Sequence, residues 1–241
     1  MKRCKITLAV VTAAVLFTGT ARAHFAWLMF DNDGRVCYFF GESPADRTYH
    51  MPTALSETKV QQATADQSDT VALDLVDEDD YVGLRSAKPA PRSGRLRAKS
   101  VYGLYQGVML VYHTQNNAGL DPADWPQAAA EDVQLQAVLT KDTDGLQAKV
   151  LWEGKPLAGV DVTLYCEDGH NEGTATTNSE GIAKFDAATV EPGLNGLLVN
   201  YTDKNASGEW QGKPYKSATH ILTATFDNAA ADDATRGDAE K

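Results

Sequence analysis

Several things are scarce in this sequence, and each scarcity excludes something. Beyond residue 23 no stretch is apolar enough to cross a bilayer, which takes about 20 consecutive apolar residues in a helix. No Gly-x-Ser-x-Gly, His-Glu-x-x-His or glycine-rich phosphate loop occurs, so the usual marks of a nucleophilic hydrolase, a zinc protease or a nucleotide-binding enzyme are absent. No pair of carboxylates stands out as an acid/base couple. The expectation is therefore a protein that is not an enzyme. Basic charge is also short: 22 Lys and Arg against 33 Asp and Glu, a formal charge of −11. A nucleic-acid partner needs clustered cations on the phosphate-facing surface, so none is expected. Cysteine is limited to three residues, Cys4, Cys37 and Cys166.

What the chain does have begins at its start. Lys2, Arg3 and Lys5 precede an apolar stretch from Ile6 to Phe17, and Ala21-Arg-Ala23 supplies the small-x-small pattern of a signal-peptidase site. The stretch is too short for a membrane span, and Cys4 stands before it, where a lipoprotein cysteine would follow it. The segment 1–23 reads as a cleaved leader, which puts the mature chain in the periplasm or outside the cell. That leader carries four basic residues (Lys2, Arg3, Lys5, Arg22) and no acid, so cleavage takes the formal charge from −11 to −15. Cys37 and Cys166 remain in an oxidising compartment, where they form either one disulfide between the halves of the chain or two buried thiols.

The hydrophobic pattern is that of strands. His24–Phe30 and Arg35–Phe40 are aromatic-rich runs joined by Asp31-Asn-Asp-Gly34, a hairpin turn signal. Further strands are expected over 70–76, 81–85, 95–105 and 107–114, with 43–69 a polar loop holding one helical turn. The segment from Gln115 to Pro126 is dense in turn formers and reads as an interdomain connection. From Val133 short strands recur at even spacing: 133–139, 146–152, 160–166, 173–177, 182–185, 196–201 and 219–226. Such spacing implies sheets packed face to face. The expected fold is all-β, with two β-sandwich (immunoglobulin/transthyretin-like) domains: 24–126 and 127–227. The Ala- and Asp-rich segment 228–241 lacks an apolar period and reads as a disordered tail.

Two resemblances follow from particular motifs. Gly154-Lys-Pro-Leu-Ala-Gly-Val-Asp-Val-Thr-Leu164 followed by Thr176-Thr-Asn-Ser-Glu-Gly-Ile-Ala-Lys-Phe185 resembles the carboxypeptidase-regulatory or transthyretin-like module. That likeness implies a sandwich and says little of function. His24-Phe-Ala-Trp-Leu28, Gly34-Arg-Val-Cys-Tyr-Phe-Phe-Gly-Glu42 and Thr219-His-Ile-Leu-Thr-Ala-Thr225 together resemble a domain-of-unknown-function family labelled as a periplasmic component of nickel or cobalt uptake. The resemblance implies metal handling outside the cytoplasm, with a membrane transporter component as partner.

His24 is the sharpest candidate for chemistry. Once it is the first residue, its α-amine and imidazole Nδ1 can chelate one ion in a small ring. The amine's pKa of about 7.7–8.0 makes deprotonation cheap near neutral pH. A second imidazole would complete a T-shaped set of three nitrogens, a histidine brace, suited to Cu(II) or Ni(II). The candidates are His113, at the end of a strand beside the connection, then His220, which matches the terminal-strand histidine of the resembled family. His50 falls in the unassigned loop and His170 in a turn. Met29 points away from His24 on the same strand and reads as core. Cys166 and His170, four apart, are half of a metal pair. The run Asp77-Glu-Asp-Asp80 lacks the spaced oxygens and glycine of a calcium loop and reads as a solvated turn. Three functions compete: a metal-handling protein binding Cu or Ni through His24, His113 and His220; a ligand-free structural or adhesive envelope protein; and a copper monooxygenase acting on polysaccharide, with Trp27 and Tyr49 at its substrate face.

Overall fold

The computed structural model describes residues 23–64, 68–92, 94–117 and 121–228. The expected leader up to residue 22 and the expected tail beyond Asn228 lie outside the described residues. The first half carries β1 (Phe25–Phe30), β2 (Val36–Gly41), β3 (Val60–Ala63), β4 (Ser68–Val71), β5 (Asp74–Asp77), β6 (Val82–Arg85), β7 (Arg95–Tyr105) and β8 (Val108–Asn116). The second half carries β9 (Leu135–Asp142), β10 (Gly145–Trp152), β11 (Lys155–Pro156), β12 (Asp161–Tyr165), β13 (Asn171–Thr176), β14 (Ile182–Asp186), β15 (Gly193–Asp203), β16 (Gly208–Trp210), β17 (Lys213–Tyr215) and β18 (Ala218–Asn228).

The all-β, sandwich-type architecture anticipated from strand spacing is what these elements build, and the two sandwiches share a middle layer. The central sheet runs β13-β12-β15-β18-β8-β7-β3-β4 and so takes strands from both halves. A front sheet, β1-β2-β6-β5, covers one face, and a back sheet, with β10 flanked by β9, β14 and β11, covers part of the other. The joint between the halves is a parallel pairing of β8 with β18, from Met109 opposite Ala218 to Asn116 opposite Thr225.

Alternation along β18 explains how one strand serves two cores. Leu222, Ala224 and Phe226 face the back sheet, packing with Leu135, Leu139, Leu146, Val150 and Phe185. Ile221 faces the front sheet, where Ala26, Leu28, Tyr38 and Leu84 pack with Tyr112 of β8. The next two residues on that face are threonines, and their hydroxyls reach the backbone of β1. Thr223 Oγ1 donates to the Ala26 carbonyl at 2.7 Å and Thr225 Oγ1 to the Leu28 carbonyl at 2.5 Å. β1 has a ladder partner on one side only, β2, so these hydroxyls supply hydrogen bonds that its edge carbonyls would otherwise lack. The front sheet is buried on its other face too, where Trp27, Met29, Cys37 and Phe39 pack with Tyr81 and Leu194. Two buried faces are why β1 and β2 read as continuous apolar runs instead of alternating ones.

Two expectations are refined. The alternating run 70–76 is two strands, β4 paired with β3 in the central sheet and β5 paired with β6 in the front sheet. An alternating pattern looks the same in either sheet, so the crossing at Ala72 and Leu73 leaves no mark. The polar segment 43–69 holds the expected helical turn, Thr53–Leu55, and also β3, whose Val60 is its one buried side chain. Asn228, assigned to the tail, is the last residue of β18, and its side chain donates to the Val190 and Glu191 carbonyls.

The Thr225 hydroxyl also accepts from Asn116 Nδ2 at 2.7 Å, so removing it orphans two buried polar groups at about 1–3 kcal/mol each. Thr225→Val is expected to destabilise the protein by about 2–4 kcal/mol in urea unfolding. Thr202→Val, which breaks an exposed hydroxyl pair with Thr219, should change stability by less than about 0.5 kcal/mol.

Candidate functional site

The register of the first hairpin builds the site. The turn at Asp31–Gly34 closes with Gly34 at φ +76°, and the Arg35 N–H donates to Asp31 Oδ1. The ladder then pairs Phe25 with Gly41, so the residue before β1 lies beside the residue after β2: His24 beside Glu42. His24 Nε2 is 3.8 Å from Glu42 Oε1. The ring stacks on Tyr49, with centroids 3.6 Å apart, and sits near Phe40 at 5.8 Å. The Tyr112 hydroxyl donates to the His24 carbonyl at 3.4 Å.

His24, Glu42 and Tyr49 line an open groove whose other residues include Asp46, Tyr165, Asp168 and Asn171. Asp46 is fixed by accepting the Glu42 N–H at 2.9 Å. Three carboxylates, Glu42, Asp46 and Asp168, thus line the groove that holds the histidine, a setting that favours cations. Burial first, then the Glu42 charge, pushes the Tyr165 phenol above its ordinary pKa. His50 reaches the same neighbourhood, its ring 4.3 Å from that of Tyr49.

The sequence-derived set of His24 with His113 and His220 does not come together. His113 and His220 meet each other, Nε2 to Nδ1 at 3.0 Å, where β8 and β18 run side by side. They face the back-sheet side of the central sheet, while His24 lies on the front. β8 approaches the N-terminal hairpin through Tyr112, whose hydroxyl meets the His24 carbonyl, and its neighbour His113 points the other way. Trp152 packs edge-on against His220 at 4.5 Å. Both histidines are held neutral, His113 lowered to about 3 by burial, then His220 and Lys99, and His220 to about 4 by burial, then Lys99.

Other candidates fall into place. Met29 is core, as its alternation implied. Trp27 is buried, its Nε1 donating to the Gly41 carbonyl at 3.1 Å, so it forms no exposed platform beside His24. Cys37 and Cys166 are free thiols rather than a disulfide, and burial, then Asp31, pushes the Cys37 thiol up to about 12. The Asp77–Asp80 run makes the β5–β6 turn, where Glu78 pairs with Arg85 at 2.8 Å. Sequence reasoning missed Glu42, although the hairpin register that pairs residue 25 with 41 was within its reach.

The chain is thus an all-β protein of packed sheets with an acidic groove at one end. No family profile matches it, and no curated protein matches it. Two solved structures bear a distant likeness. One is a tetra-tandem repeat in the extending region of a large adhesion protein, 13% identical, covering 85% of this chain and 50% of that one, with a TM-score of 0.23. The other is the BSP domain of a biofilm associated protein, 14% identical, covering 86% of this chain and 30% of that one, with a TM-score of 0.17. The chain spans half or less of each. No helix among the described residues is long and apolar enough to cross a membrane.

The histidine pair gives a pH test with a definite sign. In the unfolded chain both imidazoles titrate near 6.5, and in the fold both titrate well below. Their contribution to stability is complete above about pH 6.5 and is lost as pH falls toward 4 and then 3. The double variant His113→Gln/His220→Gln should flatten the slope of unfolding free energy between pH 6.5 and 4. An unchanged slope would mean that the pair is not buried neutral.

Proposed function

We propose that the protein is exported, periplasmic or secreted, and that cleavage after Ala23 makes it a binder of Cu(II) or Ni(II) at His24. One observation carries this reading: the His24 Nε2 faces Glu42. The 3.8 Å separation exceeds a hydrogen bond, and a small rotation of Glu42 would let its carboxylate accept the Nε2 proton and leave the other nitrogen's lone pair for a metal, the usual outer-shell arrangement around metal-binding histidines. Nδ1 is the nitrogen that closes a chelate with the α-amine of the same residue. Tyr49 clamps the ring by stacking, so little entropy is lost when an ion binds. Asp46, Asp168 and His50 are the nearby candidates for the remaining positions, replacing His113 and His220, which point to the other side of the sheet. An open groove suits capture and release, as delivery to a membrane transporter component requires. The copper monooxygenase reading is less well supported, because the expected aromatic face loses Trp27 to the core.

The test begins with the first residue of the secreted protein, read by N-terminal sequencing. Calorimetric titration of that protein with Cu(II) and Ni(II) is expected to give one ion per chain. His24→Ala should abolish tight binding, and Glu42→Gln should weaken it by about 10–100-fold. One extra residue ahead of His24 should also abolish binding without touching the fold. A mature chain that starts elsewhere, or that binds neither metal, would remove the proposal and leave the envelope or adhesive module without a ligand.

A further inference from the structure

The turn joining β12 to β13 brings together three metal-binding side chains of different chemistry. Cys166 Sγ, a ring nitrogen of His170 and a carboxylate oxygen of Glu172 lie within 4.8 Å of one another. The local backbone accounts for this. The turn is closed by the Gly169 N–H donating to the Cys166 carbonyl at 3.0 Å and the Cys166 N–H donating to the His170 carbonyl at 3.1 Å, which sets residues 166 and 170 face to face. His170 and Glu172, two apart on extended chain, project to the same side. Gly169 is at φ +83°, and a Cβ there would fall 2.4 Å from Ser43 Oγ, so the turn is seated firmly on the loop after β2. Sequence spacing yields only the Cys–His half of this set; the strand start at Asn171 adds the carboxylate.

The surroundings suit an ion. Cys166 is only 1% exposed, while His170 is exposed and Glu172 half-buried. The site is therefore closed on the sulfur side and open on the other. Cys166 is not consumed by a disulfide, and its sulfur lies within 4.8 Å of a Glu172 carboxylate oxygen. In tetrahedral zinc sites, bond lengths of about 2.0–2.3 Å put neighbouring donors roughly 3.3–3.6 Å apart. From within 4.8 Å the three donors need to close by about 1 Å, which rotation of the two more exposed side chains can provide. A thiolate selects zinc-type ions over calcium or magnesium, and three protein ligands with a free fourth position mark an exchangeable site rather than a closed structural one.

The geometry points to Cys166, His170 and Glu172 as a second metal site, one that takes a Zn(II)-class divalent ion and keeps one position open for water or for a donor from a partner. It stands apart from the His24 reading and shares no ligand with it.

Titration of the reduced, metal-free mature protein with Co(II), a spectroscopic stand-in for Zn(II), tests it. The expected result is a near-ultraviolet thiolate-to-cobalt absorption band at one ion per chain, bleached by added Zn(II). Cys166→Ser should abolish the band. Replacing His170, an exposed residue whose loss leaves the fold intact, by Ala should weaken Co(II) binding by at least the roughly tenfold that loss of an outer-shell partner costs. His24→Ala should leave the band unchanged, which separates this site from the other. Absence of a thiolate band, or a band indifferent to His170→Ala, overturns the proposal.

Discussion

The parallel pairing of β8 with β18 is the constraint on which the rest of the molecule depends. Parallel neighbours cannot be joined by a tight turn, and here the connection between them contains the whole back sheet along with β12, β13 and β15. Once Met109 lies opposite Ala218 and Asn116 opposite Thr225, both cores are placed. β18 offers Leu222, Ala224 and Phe226 to one and Ile221, Thr223 and Thr225 to the other. The second half supplies part of the first half's wall: Leu198 and Ile221 complete the front core, although both belong to the second half of the sequence. The cores are therefore coupled through one strand, and a change that shifts β18 by one residue would exchange its two faces.

The same seam explains why two histidines are tolerated inside. Leu222 is registered with His113 and Val111 with His220, so the rings lie diagonally across the pair and reach each other at 3.0 Å. One nitrogen donates and one accepts, so each ring meets part of the other's need without a charge. Protonating either would bury a cation beside Lys99, a cost that burial and that ammonium impose together. The pair is thus a neutral linker between halves, and its isolation from the front groove follows from the parity of β8.

Much of this was legible in the sequence where local chemistry decides the outcome. Asp31–Gly34 specified a hairpin, the Arg95–Tyr105 and Gly107–Thr114 runs specified another, and the even spacing after Val133 specified a sandwich. Non-local choices left no such trace. Nothing in 108–116 says that its neighbour is a strand more than a hundred residues later, because a parallel central strand needs only apolar bulk on both faces. β16 and β17 escaped notice because Glu209, Lys213 and Pro214 give their short pairing no apolar period. At the candidate site, the cleavage pattern singles out His24. Its carboxylate neighbour Glu42 needs the hairpin register, and the separation of His113 from His24 follows from the face that His113 takes on β8.

Both proposed sites lie against the same turn. Asp168, Gly169 and Asn171 border the His24 groove, while Cys166, His170 and Glu172 gather on the turn itself. They differ in when they come into being. The proposed His24 chelate needs a free α-amine, so a chain still joined to Ala23 would lack that site. The thiolate site needs only the folded turn and a reduced cysteine. Export would then create the first site just as an oxidising compartment begins to threaten the second, and an ion bound at Cys166 would shield the thiol from oxidation. The first proposal thus depends on leader cleavage and the second on redox state, although Gly169 of the shared turn lies against Ser43 in the groove wall.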